Sequence, residues 1–124
     1  MKNDKGQVIV YRQGILRGRA QLRKTNLINR NLEDNYVLPA NAIIKATLPG
    51  ATNSVVISSA AAEITVVSDT LSTVDYFFNN VKMLLVELGQ DVALDFFVED
   101  EDGNVEAFEA LEVFEVRDVK NPLP

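Results

Sequence analysis

Cysteine, histidine and tryptophan are absent from this chain of 124 residues, and proline occurs only four times. The first two absences exclude thiolate nucleophiles, Ser-His-Asp and Cys-His catalysis, imidazole acid–base chemistry and the Cys/His zinc and haem sites. Carboxylate, lysine, tyrosine or hydroxyl chemistry is all that an enzyme would have left, and no motif assembles it. A non-enzymatic protein with no cofactor and no small-molecule substrate is the expectation. Without disulfides the fold must rest on its core, which a chain of this length can build by hiding about two-thirds of its unfolded surface. A cysteine-free chain fits the cytoplasm, a virion or the cell exterior equally.

Long apolar runs are missing as well. The start, MKNDKGQVIVYRQG, has charges on both sides of a four-residue apolar run. A signal peptide needs an apolar stretch about twice as long, and no segment approaches the roughly 20 apolar residues of a membrane span. The expectation is a soluble protein made inside a cell, with no membrane partner.

What is present is charge, unevenly placed. Residues 1–30 hold eight basic side chains (Lys2, Lys5, Arg12, Arg17, Arg19, Arg23, Lys24, Arg30) against Asp4, a net of +7; the remaining 94 residues hold 4 basic against 17 acidic, a net of −13. Such a split favours contact between the basic segment and an acidic body, of the same copy or of another. It suggests a basic N-terminal segment or arm over 1–30 and a single mainly β domain with an acidic surface over 31–124. Arg12, Arg17, Arg19, Arg23 and Lys24, with Ile15, Leu16 and Leu22 as apolar anchors, are the expected partner-binding residues. Nucleic acid is not expected as the partner. Phosphate affinity grows with the number of neutralised charges, but the −13 body repels a duplex, and Tyr11 alone offers little for base stacking.

The pattern along the chain reads mostly as strands. Residues 6–11, 40–48, 54–58, 63–68 and 92–98 are short runs rich in β-branched and aromatic residues, bounded by turn signals such as Pro49-Gly50. Residues 15–28 fit neither period and read as an extended arm or irregular strand. Leu71, Val74, Phe77, Phe78, Val81, Leu84, Leu85 and Leu88 follow the spacing of one helical face, which predicts an amphipathic helix over 71–88. The rival is a hairpin turning at Asn79-Asn80. Such a helix would make Phe78→Ala and Leu85→Ala each cost about 2–5 kcal/mol and Lys82→Ala little. In residues 105–119 a glutamate recurs every third position, which fits neither ideal period; a bulged strand accommodates it, and a short helix over the Ala-Leu part is the other option.

Two constellations resemble functional motifs. In VEDEDGNVEAFE, Asp100, Asp102, Gly103 and Glu109 fall at the third, fifth, sixth and twelfth positions of a calcium loop. The first position is Val98, so the stretch reads rather as an Asp-Gly turn between strands. Asp95 and Glu63 are the acids most embedded in apolar strands, but alternation sets them on the wet face and they are no catalytic pair. The Phe pairs at 77–78 and 96–97 read as core.

The segment YVLPANAIIKATL, followed by short Ser/Thr/Ala-rich strands and by EDEDGNVEAF, resembles small virion proteins of tailed bacteriophages, the head decoration or cement class. The resemblance implies a small, mostly β, cysteine-free protein that assembles as a symmetric oligomer on a capsid or connector and catalyses nothing. The expected fold is therefore a mainly β (α+β) antiparallel sheet domain with one amphipathic helix, or alternatively an all-β sandwich or barrel. The expected function is a structural subunit in a homo-oligomer on a virion, its partners being other copies and a major capsid or connector protein. The alternative is an acidic inhibitor or nucleic-acid mimic that offers Glu99, Asp100, Glu101, Asp102, Glu106, Glu109 and Glu112 to a basic enzyme.

Overall fold

Burial that alternates every second residue organises the molecule. The computed structural model describes residues 1–25, 32–33, 36–121 and 123, with backbone only at 24, 25, 32 and 33. In strand order these form β1 (Val8–Tyr11), β2 (Leu16–Gln21), β3 (Lys24–Thr25), β4 (Leu32–Glu33), β5 (Ile43–Leu48), β6 (Val55–Ser58), β7 (Ile64–Ser68), β8 (Thr73–Phe78), β9 (Gly89–Glu99) and β10 (Val105–Arg117). One helical turn, α1 (Asn80–Met83), and a 3-10 turn at Ser59–Ala61 complete the elements. The chain is thus a mainly β domain.

Five strands form one sheet in the order β1-β10-β9-β5-β6, and three form a second in the order β2-β8-β7; β3 and β4 pair by themselves. All ladders are antiparallel except that β1 runs parallel to β10. Val92, Leu94, Phe96 and Val98 of β9, Ile44, Ala46 and Leu48 of β5, and Val74, Tyr76 and Phe78 of β8 are all buried in one cluster that draws on both sheets. Tyr76 joins the layers, its ring meeting Phe96 edge-on at 5.9 Å and Phe78 at 6.4 Å between centroids. Aromatic pairs of this geometry add to the stabilisation from burial alone.

Gly18 makes room for that ring. It lies opposite Tyr76 in the β2–β8 ladder, and a Cβ there would overlap the Tyr76 hydroxyl and the carbon bearing it. Burial, and next the Glu112 charge, push the phenol well above its ordinary pKa.

The bulge expected from the glutamate spacing is present in β10. Phe108 pairs with Phe96 and Glu112 with Leu94, so three residues of β10 face one of β9. Ala110 takes a positive φ of 49° there, and its N–H donates to Asp95 Oδ1 at 2.7 Å. Asp95 is on the wet face as expected, and it holds the bulge.

The helix predicted over 71–88 is not formed. Thr73–Phe78 is a strand with Val74, Tyr76 and Phe78 buried at every second position, and only Asn80–Met83 are helical. The rival hairpin fails too, because Val81 to Leu88 forms no strand. TVDYFF is rich in β-branched and aromatic residues that fit a pleated surface, and it finds partners on both sides, β2 and β7. Five of the eight residues of the supposed helical face are exposed: Leu71, Val81, Leu84, Leu85 and Leu88, at 57%, 71%, 52%, 60% and 45%. Lys82 is no idle surface residue either, since its Nζ donates to the Val56 carbonyl and pairs with Glu63 at 2.8 Å.

Three substitutions separate these environments. Phe78→Ala should lower unfolding free energy by about 3–5 kcal/mol, Leu85→Ala should change it by less than about 0.5 kcal/mol, and Gly18→Ala should cost about 1–3 kcal/mol by overpacking against Tyr76. Urea titration followed by circular dichroism checks all three.

Candidate interaction surface

The basic segment is built into the fold rather than extended from it. Leu16 and Leu22 are 6% and 0% exposed and belong to the core, which removes them as partner anchors. Ile15 alone of the three expected anchors is on the surface. The reading of 1–30 as an arm is corrected over residues 8–22, because β1 belongs to the five-stranded sheet and β2 to the three-stranded one. Residues 26–30 and the Lys24 side chain lie outside the described residues.

Its cations meet the acidic body within the same chain. Arg12 forks onto Asp118 with bonds of 2.8 and 2.7 Å, Arg19 onto Asp75 at 2.7 and 3.2 Å, and Lys5 reaches Asp91 at 3.0 Å. These donors hold the carboxyls of Asp118 and Asp75 below the usual range, the arginine hydrogen bond being the main cause in each. The Arg17 guanidinium lies 4.9 Å from the centroid of the Phe77 ring, a cation–π contact. Arg23 donates to Gln21 Oε1.

Glu115 is the most enclosed acid of the group, at 6% exposure. Arg117 Nε donates to its carboxylate, as do Asn3 Nδ2 at 3.0 Å and Gln90 Nε2 at 3.1 Å. Together these donors, Arg117 foremost, pull its pKa down to about 2. Asn3 also turns the first residues back on themselves, its Oδ1 accepting the N–H groups of Lys5 and Gln7.

At the tip joining β9 to β10, Asp100 is committed to a turn. Asp100 Oδ1 accepts the N–H groups of Asp102 and Asn104, both at 2.9 Å, and Gly103 takes a φ of +84°. Among the described residues no group of three acidic side chains is arranged to hold a metal ion.

A different segment carries a run of exposed apolar side chains. Asn79 caps α1 by accepting the Lys82 N–H at 2.9 Å, and Met83 and Val86, both fully buried, anchor the residues around them. The backbone is fastened to the loop after β5: Glu87 N–H donates to the Pro49 carbonyl at 2.9 Å and Ala51 N–H to that of Leu85 at 3.2 Å. Gly50 permits this approach, because a Cβ there would overlap the Asn53 carbonyl oxygen and crowd that of Leu85. The fastened segment presents Val81, Leu84, Leu85 and Leu88 to solvent. Leu84 and Leu85 line a groove of about 310 Å³ with Val56, Lys82 and residues 51–55. The sequence did display these leucines, as part of a helical stripe; their regular spacing assigned them to the core.

Comparison with family models, with curated proteins and with solved structures finds no match for the chain.

The Glu115 cluster gives a pH signature. A carboxylate whose pKa is lowered on folding stabilises the native state above its unfolded value of about 4.3, and this stabilisation is lost as pH falls through about 2. Acid titration should therefore show a loss of thermal stability between those limits, and Glu115→Gln should flatten that part of the curve and lower stability at neutral pH.

Proposed function

We propose that the chain is a non-enzymatic structural subunit that assembles with copies of itself, using the apolar surface of residues 81–88. The observation that carries this reading is that four large aliphatic side chains, 45% to 71% exposed, project from one segment whose backbone is tied down. Burying such a side chain fully is worth about 1.5–3 kcal/mol, and contiguous apolar patches on monomers are commonly functional. A rigid platform loses little conformational freedom when covered, which favours association.

Seven of the 18 acids are engaged in structural contacts. Glu63, Asp75, Asp91 and Asp118 sit in ion pairs, Asp95 and Asp100 hold backbone amides, and Glu115 is enclosed by three donors. The setting proposed for the assembly is the head of a tailed phage, with a major capsid or connector protein as the further partner; this part rests on the resemblance of residues 36–48 and their surroundings.

The test is hydrodynamic. Light scattering should give a discrete oligomer for the native chain, and Leu84→Asp with Leu85→Asp should yield a smaller species that melts at the same temperature. A native chain that stays monomeric across micromolar to millimolar concentration overturns the proposal.

A further inference from the structure

Strand edges carry backbone groups that another strand can take up, and proteins ordinarily block them with charge, proline or covering chain. This molecule blocks most of its own. At β1, Ile9 N–H donates to the Met1 carbonyl at 3.0 Å and Lys2 bridges Val8. At β6, Lys82 Nζ donates to the Val56 carbonyl at 2.5 Å, while Ser58 gives its N–H to Glu63 Oε1 and its carbonyl to the Glu63 N–H. Arg17 and Arg19 guard β2, and Glu106 and Glu109 guard the part of β10 that β1 does not reach.

β7 is guarded only at its end, where its register slips between Val66 and Ser68 and Leu38 N–H donates to the Asp69 carbonyl at 3.0 Å. Ile64-Thr65-Val66-Val67-Ser68 contains no charge and no proline, and Thr65, Val66 and Val67 are exposed. The ladder tells which groups face outward. Phe77 N–H donates to the Glu63 carbonyl at 3.0 Å, so 63 and 77 are a hydrogen-bonded pair. Such pairs alternate in antiparallel ladders, hence 65 bonds to 75 while Ile64 and Val66 turn their N–H and C=O away from β8. Among the described residues none takes these groups up.

We propose that β7 pairs antiparallel with β7 of a second copy, about a two-fold axis at Thr65, to give a continuous six-stranded sheet β2-β8-β7-β7-β8-β2. Chemistry and register select this occupant. Outward-facing residues must lie opposite one another, and setting Ile64 against Val66 does so with residues that all precede the slip in register between Val66 and Ser68. A register centred on Val66 would instead set Ile64 against Ser68, beyond that slip. A second copy offers the same neutral strand with matching donors and acceptors, as a two-fold interface requires. The inference rests on the reading that copies self-assemble and names a surface for it distinct from residues 81–88.

The chain has no cysteine, so Thr65→Cys introduces a single thiol. In this register the two copies of residue 65 form a non-hydrogen-bonded pair with Cβ atoms about 4.5–5.5 Å apart, close enough to bridge after small adjustment. Under mild oxidation most of the Thr65→Cys protein should migrate as a covalent dimer, and Thr73→Cys, on β8, should not. Val66→Pro removes an outward N–H at a position where an edge strand tolerates proline, and should raise the dimer dissociation constant at least tenfold with an unchanged melting temperature. If Val66→Pro misfolds, the cysteine pair decides alone. Equal cross-linking at 65 and 73, or none at 65 in a native oligomer that Leu85→Asp dissolves, overturns edge pairing and leaves self-assembly standing. A monomeric native chain overturns both.

Discussion

The contact of Tyr76 with Gly18 on one side and Phe96 on the other is the constraint on which the two-layer arrangement depends. Tyr76 is central in the three-stranded sheet, and Phe96 lies in β9 between β10 and β5. A ring this large fits between the layers only because the residue opposite it in β2 has no side chain. The glycine that removes a clash also removes a packing partner, and the ring fills the space so left. Strand alternation does the rest, carrying Val74 and Phe78 inward with Tyr76 and leaving Asp75 to meet Arg19 on the outer face.

The charge asymmetry of the sequence resolves into short local pairings. Exposed ion pairs are individually worth about 0–1 kcal/mol, so the Lys5, Arg12 and Arg19 pairs do not hold the sheets together. They orient the first 21 residues on a body that would otherwise carry a dense negative field. The acids near the β9–β10 tip have few nearby cations, since no lysine or arginine occurs from 99 to 116. That end remains strongly negative.

Strands were legible where composition and period agreed. β5, β6, β7 and β9 fall within two or three residues of the runs read as Ala40–Leu48, Ser54–Ser58, Glu63–Ser68 and Val92–Val98. β2 was obscured because arginines occupy its outward positions and Gly18 takes an inward one, so the apolar alternation that marks a strand is interrupted. The 71–88 segment misled for the opposite reason. Val74 and Phe78 from the inward face of a strand, Phe77 from its other face and the exposed Leu71 line up with a leucine-rich surface platform, and together they mimic one helical stripe. Periodicity records spacing and does not distinguish aliphatic residues meant for the interior from those left outside. The ion pairs were legible only as an imbalance, because partners such as Arg12 and Asp118 are 106 positions apart.

That separation also bears on how the molecule comes together. β1 can find its place only beside Phe114–Arg117, the far end of the described strands. Bringing segments so distant into register has a large loop-closure entropy, and topologies of this kind fold slowly. During synthesis the hairpins of β5–β6, β7–β8 and β9–β10 can form from neighbouring residues, while the Val8–Tyr11 strand waits for its partner to emerge. The net +7 of the first 30 residues makes like segments of two unfolded chains repel one another, which disfavours pairing of β1 with its own copy while its partner strand is missing.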